Sequence, residues 1–449
     1  MKIKFLGAAG TVTGSSYVLT SGSGQSLLID LGMFQGLPDI DRLNYNPFEY
    51  DCSTLVGAVL THAHLDHCGR LPLLLSGGFK EKIWMIPATQ DLTELSLLDS
   101  AKIAIQDHHK ILYDKDLAYK TIDRFKTIEY RTPLSIGNFA ITFRDAGHIL
   151  GSASLEIEDI SPDSETKKIV FSGDLGNAPE DLVQMTEFID DADAVVMEST
   201  YGDRIHPEED ASAILQAEIN SVETSGGTLL IPAFALERTQ EVLHMIMHLK
   251  SSQKISMQTP IFLDSPMADK ATLIYTQYPE LFNSHITDDL KESAVFGFPG
   301  LEIINDKSES KKIYRTKGPK VIIAGSGMMT GGRILGHAAH YLPQTVSRLL
   351  IVGYQGEGTL GRELMEGSTQ VVIDDITIPV KAHVSTTHAM SSHADQRQLM
   401  GWLTHIKNVK KVYLTHGEDV SRLALSKKIT NELPNVEVFA PVLHQEVHL

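Results

Sequence analysis

Short apolar runs broken by glycine, serine and threonine dominate the first sixty residues. Each run alternates apolar and polar positions in part, which is typical of β-strands that bury one face. The runs are MKIKFLGAAG, SSYVLTS, SLLIDLG and VGAVL, and the last leads directly into the polar tract THAHLDH. Similar strand patterns return between residues 127 and 200, in FAITFRDAG, SASLEIED, KKIVFSGD and DAVVMEST.

Helical periodicity separates these strands. Residues 88–125 repeat apolar positions every three or four residues, most clearly in DLTELSLLDSAKIAIQDHH, which predicts helix. Near residue 205 helices begin to alternate with buried strands, through ASAILQAEINSVETSGG, TLLIPAF, ALERTQEVLHMIMHLK, PIFLDSP, KVIIAGSGMM and RLLIVGY. Such alternation favours βαβ units around a parallel sheet.

After about residue 383 the chain returns to short segments that again carry histidine, namely VSTTHAMSSHADQ and VKKVYLTHGE. The pattern therefore predicts one domain interrupted by another. The first domain comprises residues 1–204 and 383–449, and the inserted domain comprises residues 205–382.

The composition limits the class of partner. Of the 449 residues 42% are hydrophobic, and 39 Lys and Arg against 57 Asp and Glu give a net charge of −18. That balance argues against a protein that coats nucleic acid by bulk charge, although a narrow site can still bind phosphates. The two cysteines, Cys52 and Cys68, form no CxxC motif, which indicates a reducing compartment and a cytoplasmic location. No segment has the pattern of a membrane span. The start MKIKFLGAAG has the basic and apolar residues of a weak signal peptide, but polar residues from Thr11 onward end the apolar patch too early, which disfavours secretion.

The strongest chemical signal is the tract THAHLDH, which begins at Thr61. It places four potential metal ligands within six residues, namely His62, His64, Asp66 and His67. Zinc prefers imidazole nitrogen and carboxylate oxygen, and a turn can share these four between two neighbouring ions. A histidine-rich polar loop without a metal is the alternative, which the specific HxHxDH spacing disfavours.

Three further ligand candidates stand near the ends of apolar runs: His148 in DAGHILGSA, Asp174 in VFSGDLG and His416 in VYLTHGE. Any one of them alone is more often a satisfied core or surface residue. Because ligands gather at strand ends in layered α/β proteins, their shared placement with the HxHxDH tract favours one common metal site.

These motifs together resemble the metallo-β-lactamase superfamily. HAHLDH, GH at 147–148, SGD at 172–174 and TH at 415–416 match its ligand motifs in order. Asp30 in LLIDLG matches an early Asp of that superfamily, which supports the ligand shell rather than binding metal.

More narrowly, the chain resembles the β-CASP nucleases, among them the bacterial and archaeal homologues of the endonuclease subunit of the cleavage-and-polyadenylation specificity factor. Their three additional motifs are represented by Glu198 in VVMESTYGDR, His393 in MSSHADQ and His416 in LTHGE. A histidine at the third motif is the form of the RNA-acting members, whereas DNA-acting members carry an apolar residue there. The resemblance therefore implies single-stranded RNA as the substrate.

The resemblance also implies the fold and the cofactors. The fold is a metallo-β-lactamase αββα sandwich interrupted by an α/β β-CASP domain with a mainly parallel sheet. Two zinc ions are implied: His62, His64 and His148 hold the first, Asp66, His67 and His416 hold the second, and Asp174 bridges them.

Hydrolysis of a phosphodiester requires a nucleophile, charge neutralisation and a proton for the leaving oxygen. A pair of zinc ions about 3.5–4 Å apart supplies the first two. His393 is the candidate general acid, and Glu198 would hold its ring protonated and oriented. Asp66 is the third catalytic candidate. Without the resemblance, a structural ion pair for Glu198 and a surface position for His393 are equally good interpretations.

Four weaker candidates for substrate binding are Ser326, Gly327, Arg238 and Ser392. The first two lie in the glycine-rich GSGMMTGGR, where backbone N–H groups can approach phosphate, and a tight turn is the alternative. For Arg238 the alternative is an ion pair with a neighbouring glutamate, and for Ser392 it is the cap of the following helix. The run KKIYRTKGPK at 311–320 has five basic residues and no acidic one, and it either contacts substrate or is solvated surface.

The main hypothesis is a two-zinc ribonuclease in RNA processing or decay, endonucleolytic and with 5′ exonuclease activity left open. A hydrolase of a small thioester, lactone or lactam is the alternative, and it needs the zinc ligands but neither Glu198 nor His393. A non-catalytic RNA-binding subunit is the third hypothesis, although all seven ligand positions are filled. We expect the chain to bind RNA and not to bind a membrane. The sequence leaves open whether it forms a homodimer or binds RNA-processing proteins.

Overall fold

A computed structural model describes residues 1–106, 110–162, 167–177, 182–284, 286 and 296–449 of the chain. The chain divides into two compact units, Met1–Ile205 with His393–Leu449, and His206–Ser392. The predicted domain limits at 204/205 and 382/383 stay a prediction. Within the described ranges, no helix combines the length and the apolar character needed to cross a membrane.

The first unit contains two seven-stranded sheets. The first sheet consists, in spatial order, of β22 (Glu446–His448), β1 (Lys2–Gly7), β2 (Ser16–Thr20), β3 (Ser26–Leu31), β4 (Leu55–Val59), β5 (Ile83–Met85) and β6 (Phe125–Thr127). The strands from β22 to β3 pair antiparallel, and those from β3 to β6 pair parallel.

The second sheet consists, in spatial order, of β21 (Glu437–Phe439), β20 (Lys411–Thr415), β11 (Ala194–Glu198), β10 (Lys168–Phe171), β9 (Ala153–Asp159), β8 (Phe139–Asp145) and β7 (Leu134–Ile136). The strands from β7 to β10 pair antiparallel, and β10, β11, β20 and β21 pair parallel. The parallel strands β10, β11 and β20 therefore end at the same edge, where Asp174, Glu198 and His416 lie.

Both faces of each sheet are covered. Leu27 and Ile29 of β3 join Phe143 and Phe171 in a core between the sheets, whereas Leu28 packs in a second cluster outside. Successive side chains of a strand point to opposite faces, so a run such as SLLIDL is apolar at consecutive positions because both faces are buried.

Helices cover the outer faces of the two sheets. On the first sheet these include α2 (Leu65–Cys68), α3 (Leu71–Ser76), α4 (Pro87–Gln106) and α5 (Lys115–Ile122), after the short α1 (Pro38–Asp41). On the second sheet they are α12 (Gln396–His405) and α13 (Asp419–Glu432). The result is the expected αββα sandwich. The helix predicted within residues 88–125 is two helices, and residues 107–109 of that prediction lie outside the described residues.

The second unit is built on a six-stranded, all-parallel sheet. Its spatial order is β14 (Leu301–Ile303), β13 (Ile261–Asp264), β15 (Lys320–Ala324), β12 (Thr228–Pro232), β16 (Arg348–Ile351) and β19 (His383–Thr386). A separate hairpin joins β17 (Gln370–Ile373) to β18 (Ile376–Pro379). The predicted parallel sheet is confirmed.

The helices of the second unit are α6 (Ala211–Ser225), α7 (Arg238–Ser251), α8 (Pro266–Tyr275), α9 (Lys307–Ser310), α10 (Arg333–Tyr341) and α11 (Leu360–Met365). Short 3₁₀ helices occupy Arg42–Tyr45, Cys52–Thr54, Pro279–Leu281 and Ile313–Arg315. The central strand TLLIP is buried at every position, because parallel sheets are covered on both faces.

Candidate active site

The HxHxDH tract lies where β4 leads into the single turn of α2. His64 is the N-cap of α2, and Asp66 and His67 lie within its turn. A Cβ atom on Gly32, just after β3, would lie 1.6 Å from the carbonyl oxygen of Asp66. The backbone after β3 therefore packs directly against the ligand turn, and only glycine permits that approach.

Three groups of potential metal-ligating atoms form in the described part of the first unit, each with all its atoms within 4.8 Å of one another. The first group is His62, His64, His148 and Asp174, and the second is Asp66, His67 and His416. The third, Asp174 with Glu198 and His393, shares Asp174 with the first. In the first group, His64 Nδ1 lies 3.2 Å from His62 Nε2 and 3.2 Å from His148 Nε2. In the second, His416 Nε2 lies 3.3 Å from Asp66 Oδ2. The structure thus brings all seven predicted ligands together.

The Asp174 carboxylate faces both the first and the second group. Its Oδ2 lies 3.4 Å from His62 Nε2 in the first group and 3.7 Å from His416 Nε2 in the second. Its Oδ1 lies 3.4 Å from His67 Nε2. Oδ1 is buried and accepts no hydrogen bond from any residue that the structure describes. Asp174 therefore lies close to both groups, and its Oδ1 has a lone pair that a cation could use.

These spacings fit metal ions. Two atoms that are each about 2.0–2.1 Å from one tetrahedral zinc ion lie about 3.3 Å apart. The separations of 3.2–3.3 Å within each group match that value. Imidazole nitrogens that face each other at 3.2 Å share at most one proton, whereas one cation satisfies both lone pairs. The donor set of imidazole nitrogen and carboxylate oxygen is also one that zinc accepts readily.

The protonation of the first group suits metal binding. Burial lowers the pKa of His64 to about 4 and holds the pKa of His62 well below its usual value, so both rings are neutral. A neutral imidazole offers a lone pair to a metal. Burial raises the pKa of Asp174, but His416 and His67 outweigh it and hold that pKa well below its usual range, so the carboxylate is ionised.

Residues outside the three groups orient the ligand rings. Asp30 Oδ2 lies 2.8 Å from His67 Nδ1, and the Asp30 carboxylate also accepts the backbone N–H and the hydroxyl of Thr61, both at 2.8 Å. On the other side, Thr200 Oγ1 lies 3.1 Å from His416 Nδ1. Such contacts direct the second ring nitrogen toward the metal. The sequence reasoning missed Thr61 and Thr200, although each stands within two residues of His62 or Glu198.

His393 and Glu198 form a pair beside the metal-ligating groups. His393 Nδ1 lies 3.2 Å from each carboxylate oxygen of Glu198, whose Oε1 accepts the backbone N–H of Leu175 at 2.6 Å. The centroid of the His393 ring lies 4.5 Å from that of His148 and 5.7 Å from that of His416. Burial lowers the pKa of His393, but the Glu198 carboxylate outweighs it and raises that pKa to about 9. The ring is therefore protonated at neutral pH.

Known proteins match this combination of fold and site. Residues 9–186 match the metallo-beta-lactamase superfamily, residues 239–364 the Beta-Casp domain, and residues 377–441 the Zn-dependent metallo-hydrolase RNA specificity domain. Ribonuclease TTHA0252 of Thermus thermophilus is 36% identical over 429 residues, which is 95% of each chain. The chain belongs to the β-CASP family of the metallo-β-lactamase superfamily. The predicted family is confirmed.

Two further relatives and one solved structure are similar to this chain. RNase aCSPSF2 of Saccharolobus solfataricus is 31% identical and covers 100% of this chain and 85% of its own. Transcription termination factor FttA of Methanocaldococcus jannaschii is 29% identical, over 93% of this chain and 67% of its own. A crystal structure of a protein of unknown function from Enterococcus faecalis shares the fold, with a TM-score of 0.52 and 12% identity over 100% of this chain and 99% of its own. The chain is a metallo-hydrolase, and small thioesters, lactones and lactams are not favoured as its substrates.

The four weaker candidates all lie in the second unit of this β-CASP protein. Arg238 is 3% exposed, pairs with Glu241 and donates to Ser392 Oγ at 2.7 Å. The interpretation of Ser392 as a helix cap is wrong, because Asp395 caps α12 through a capping box. A substrate role for Arg238 and Ser392 stays a proposal.

The glycine-rich segment GSGMMTGGR follows β15 as expected. Ser326 Oγ accepts the backbone N–H of Thr330 at 2.9 Å, which fixes the hydroxyl within the loop itself. A Cβ atom on Gly327 would lie 2.5 Å from the ring of Phe234, so glycine allows close packing there. These contacts describe a tightly packed turn, and phosphate binding by Ser326 or Gly327 stays a proposal.

Proposed function

We propose that this chain hydrolyses phosphodiester bonds within single-stranded RNA with two zinc ions. The observation that carries the proposal is the contact of His393 Nδ1 with Glu198 at 3.2 Å, in a ring whose centroid lies 4.5 Å from that of His148 and 5.7 Å from that of His416. A hydrolase of thioesters or lactams has no need of a second buried acid–imidazole pair. Relatives whose names are Ribonuclease TTHA0252 and RNase aCSPSF2 support RNA as the substrate.

The seven ligand positions would divide between two ions. His62, His64 and His148 would hold one zinc ion, Asp66, His67 and His416 the other, and Asp174 would contact both. When bound, two zinc ions supply a nucleophile at neutral pH and neutralise the charge on the phosphate. Asp30 and Thr200 keep the ligand rings of His67 and His416 in place.

The leaving oxygen requires a proton, which His393 would donate. Its ring is protonated at neutral pH, and the contact of Nδ1 with Glu198 orients the imidazole, so that Nε2 would be the atom that donates the proton. Glu198 is itself fixed by the backbone N–H of Leu175. Asp66, which lies in the second group beside His416, would take part in catalysis as a metal ligand.

His393→Ala tests this assignment. We expect RNA cleavage to fall by about 10²–10⁴-fold, because general acid catalysis is lost, while the zinc content stays at the wild-type value. Cleavage of end-labelled RNA and elemental analysis measure the two quantities. His448→Ala replaces an exposed histidine and is the matched control. Full activity of zinc-loaded His393→Ala would remove the general-acid role.

RNA substrates with different ends distinguish endonuclease from exonuclease activity. The wild-type chain is incubated with circular RNA and with linear RNA that carries a 5′-triphosphate or a 5′-monophosphate. We expect the circle to be cut, which only an endonuclease can do. Faster degradation of the RNA with a 5′-monophosphate would indicate 5′ exonuclease activity in addition. An intact circle would limit the proposal to exonuclease activity. The cytoplasmic location, a homodimer and partner proteins stay predictions.

A further inference from the structure

The second unit carries a basic and aromatic surface that the proposed catalytic residues do not use. We define the 311–317 patch as Lys311, Lys312, Arg315 and Lys317 with the ring pair Tyr314 and His340. The four cations are exposed, in a chain whose net charge is −18. No acidic residue lies between positions 311 and 320. The patch is therefore positively charged, although the chain as a whole is negatively charged.

The backbone of this segment is fixed, so the cations are presented to solvent in a defined arrangement. Ser310 donates to Asp264 Oδ2 at 2.5 Å, and Ile313 is 1% exposed in the core of the unit. With Ser310 and Ile313 buried, Lys311 and Lys312 after α9 and Arg315 in the following 3₁₀ helix are turned outward and are exposed. Lys320, which the sequence placed in the same run, is 5% exposed and donates to Gly318. It does not belong to the patch.

Most of the patch cations have no acidic partner. Lys312 pairs with Glu309 at 3.3 Å, in a contact where the two side chains are 67% and 46% exposed. Lys311, Arg315 and Lys317 make no ion pair with any residue in the described part of the chain. An exposed ion pair is worth little, so all four cations remain available to a polyanion.

A flat aromatic surface lies within the same patch. The rings of Tyr314 and His340 stack, with centroids 4.3 Å apart and planes inclined by 17°. Tyr314 is half-buried and is supported edge-on by His337 at 5.5 Å, and His340 is exposed. Burial and the neighbouring His337 lower the pKa of His340, so the ring is neutral at pH 7. The exposed His340 ring is a platform on which a base can stack.

Resting on the proposed function, we infer that the 311–317 patch binds single-stranded RNA outside the catalytic residues. Cations that follow a phosphate backbone together with an aromatic platform are the combination by which proteins bind single strands without reading sequence. An acidic protein segment would satisfy the cations but would leave the ring stack unused. The expected ligand is therefore an unpaired stretch of RNA, bound through phosphates and one stacked base.

The affinity for RNA tests the inference in the full, zinc-loaded chain. His393→Ala is the background, so that the RNA stays intact, and the probe is fluorescein-labelled oligouridine of 30 nucleotides. We expect Lys311→Gln with Arg315→Gln and Lys317→Gln to raise Kd about tenfold in low salt. The slope of log Kd against log salt should fall by about 2, since each lost phosphate contact removes about 0.7.

A matched triple variant controls for net charge. Lys115→Gln with Lys120→Gln and Lys126→Gln removes three exposed lysines of the first unit, and we expect Kd to stay within twofold of the parent value. For the platform, Tyr314→Leu and His340→Ala should each raise Kd several-fold, whereas Tyr314→Phe should keep the parent value. With 5-iodouridine in the probe, photocrosslinks should map to Tyr314 or His340.

Specific results would overturn the inference. These are a patch variant that binds as tightly as the parent, an equal loss in the control triple variant, or crosslinks found only outside the patch. Displacement of the RNA by polyglutamate at equal charge concentration would assign the patch to an acidic protein instead. If wild-type protein cleaves RNA while the patch variants bind normally, only this inference fails. If wild-type protein neither binds nor cleaves RNA, the proposed function fails as well.

Discussion

Two site residues, Asp30 and His416, adopt left-handed backbone conformations that are uncommon for non-glycine residues. Their φ angles are +53° and +50°. Such conformations persist only where surrounding contacts enforce them. For Asp30 those contacts are the bonds to His67 and Thr61, and for His416 they include a backbone N–H bond to the Ala8 carbonyl at 2.8 Å. At the scale of single residues, the site is held by its supporting contacts as much as by its ligands.

Asp30→Asn tests the supporting contact. Asparagine tolerates the same backbone conformation but loses the charge that faces His67 Nδ1. We expect zinc affinity to fall by about 10–100-fold, as is usual when a residue that orients a metal ligand is changed. Competition with a chromophoric chelator measures the affinity. Asp116→Asn changes an exposed aspartate of α5 and is the control. Unchanged zinc affinity in Asp30→Asn would show that His67 needs no such support.

At the scale of secondary structure elements, the ligand turn depends on how closely β3 and α2 pack. Gly32→Ala would place a methyl group 1.6 Å from the Asp66 carbonyl oxygen, which forces the two backbones apart. We expect a loss of several kcal/mol in the free energy of unfolding, or no folded protein, because overpacking and backbone displacement combine. Urea denaturation measures it.

Gly401→Ala is the control for this substitution. Gly401 lies in α12, and a Cβ atom there meets nothing within 4 Å. Alanine is the better helix former, so we expect a gain of about 0.5–1 kcal/mol. If Gly32→Ala were as stable as the wild type, the close approach of β3 to α2 would not be required.

In the second unit, Asp264 at the end of β13 joins three elements. It contacts Arg333 Nη1 at 2.6 Å, His337 Nε2 at 2.7 Å and the Ser310 hydroxyl. Burial raises the pKa of Asp264, but these three hydrogen bonds outweigh it and hold the pKa below its usual value. The ionised carboxylate therefore stabilises the fold above about pH 4, and this stabilisation disappears as pH falls through the lower, folded-state pKa.

Asp264→Asn tests this dependence of stability on pH. At pH 7 we expect a loss of about 3 kcal/mol, because Arg333 and His337 lose a buried partner. The difference from the wild type should shrink as pH falls below about 4, where the wild-type carboxyl also becomes neutral. Chemical denaturation across pH 3–7 measures it. Asp210→Asn retains a helix cap at an exposed position and is the control. A difference that stays constant with pH would contradict the assignment.

At the scale of the whole molecule, an acidic chain is proposed to bind a polyanion. The net charge of −18 argues against binding of RNA by bulk charge. Two features would supply positive charge locally. Two zinc ions would add about four positive charges beside Asp66 and Asp174. The 311–317 patch contributes four exposed cations in the other unit.

Removal of the metals tests this local charge. After chelation of the full chain we expect a lower melting temperature, because seven polar residues, five of them buried, lose the ions that they would bind, and a weaker affinity for RNA. Scanning calorimetry and fluorescence anisotropy measure the two changes, and added zinc should restore both. Chelated protein that melts and binds RNA as before would show that the metals contribute neither stability nor charge.

The sequence by itself determined the alternation of strands and helices, the parallel sheet and the set of ligand types, because hydrophobic periodicity and motif spacing are local properties of the chain. The family and its αββα sandwich came from the resemblance that those motifs carry. It did not indicate Thr61 or Thr200, since hydroxyl residues occur everywhere and only proximity to a ring gives them a role. Nor did it distinguish Lys320, which points inward, from Lys317, which is exposed. The tertiary structure alone decided which atoms meet: Asp66 lies beside His416 across 350 positions, and Glu198 beside His393 across 195. Charge, burial and pKa depend on those distances, and they exist only once the sheets have packed.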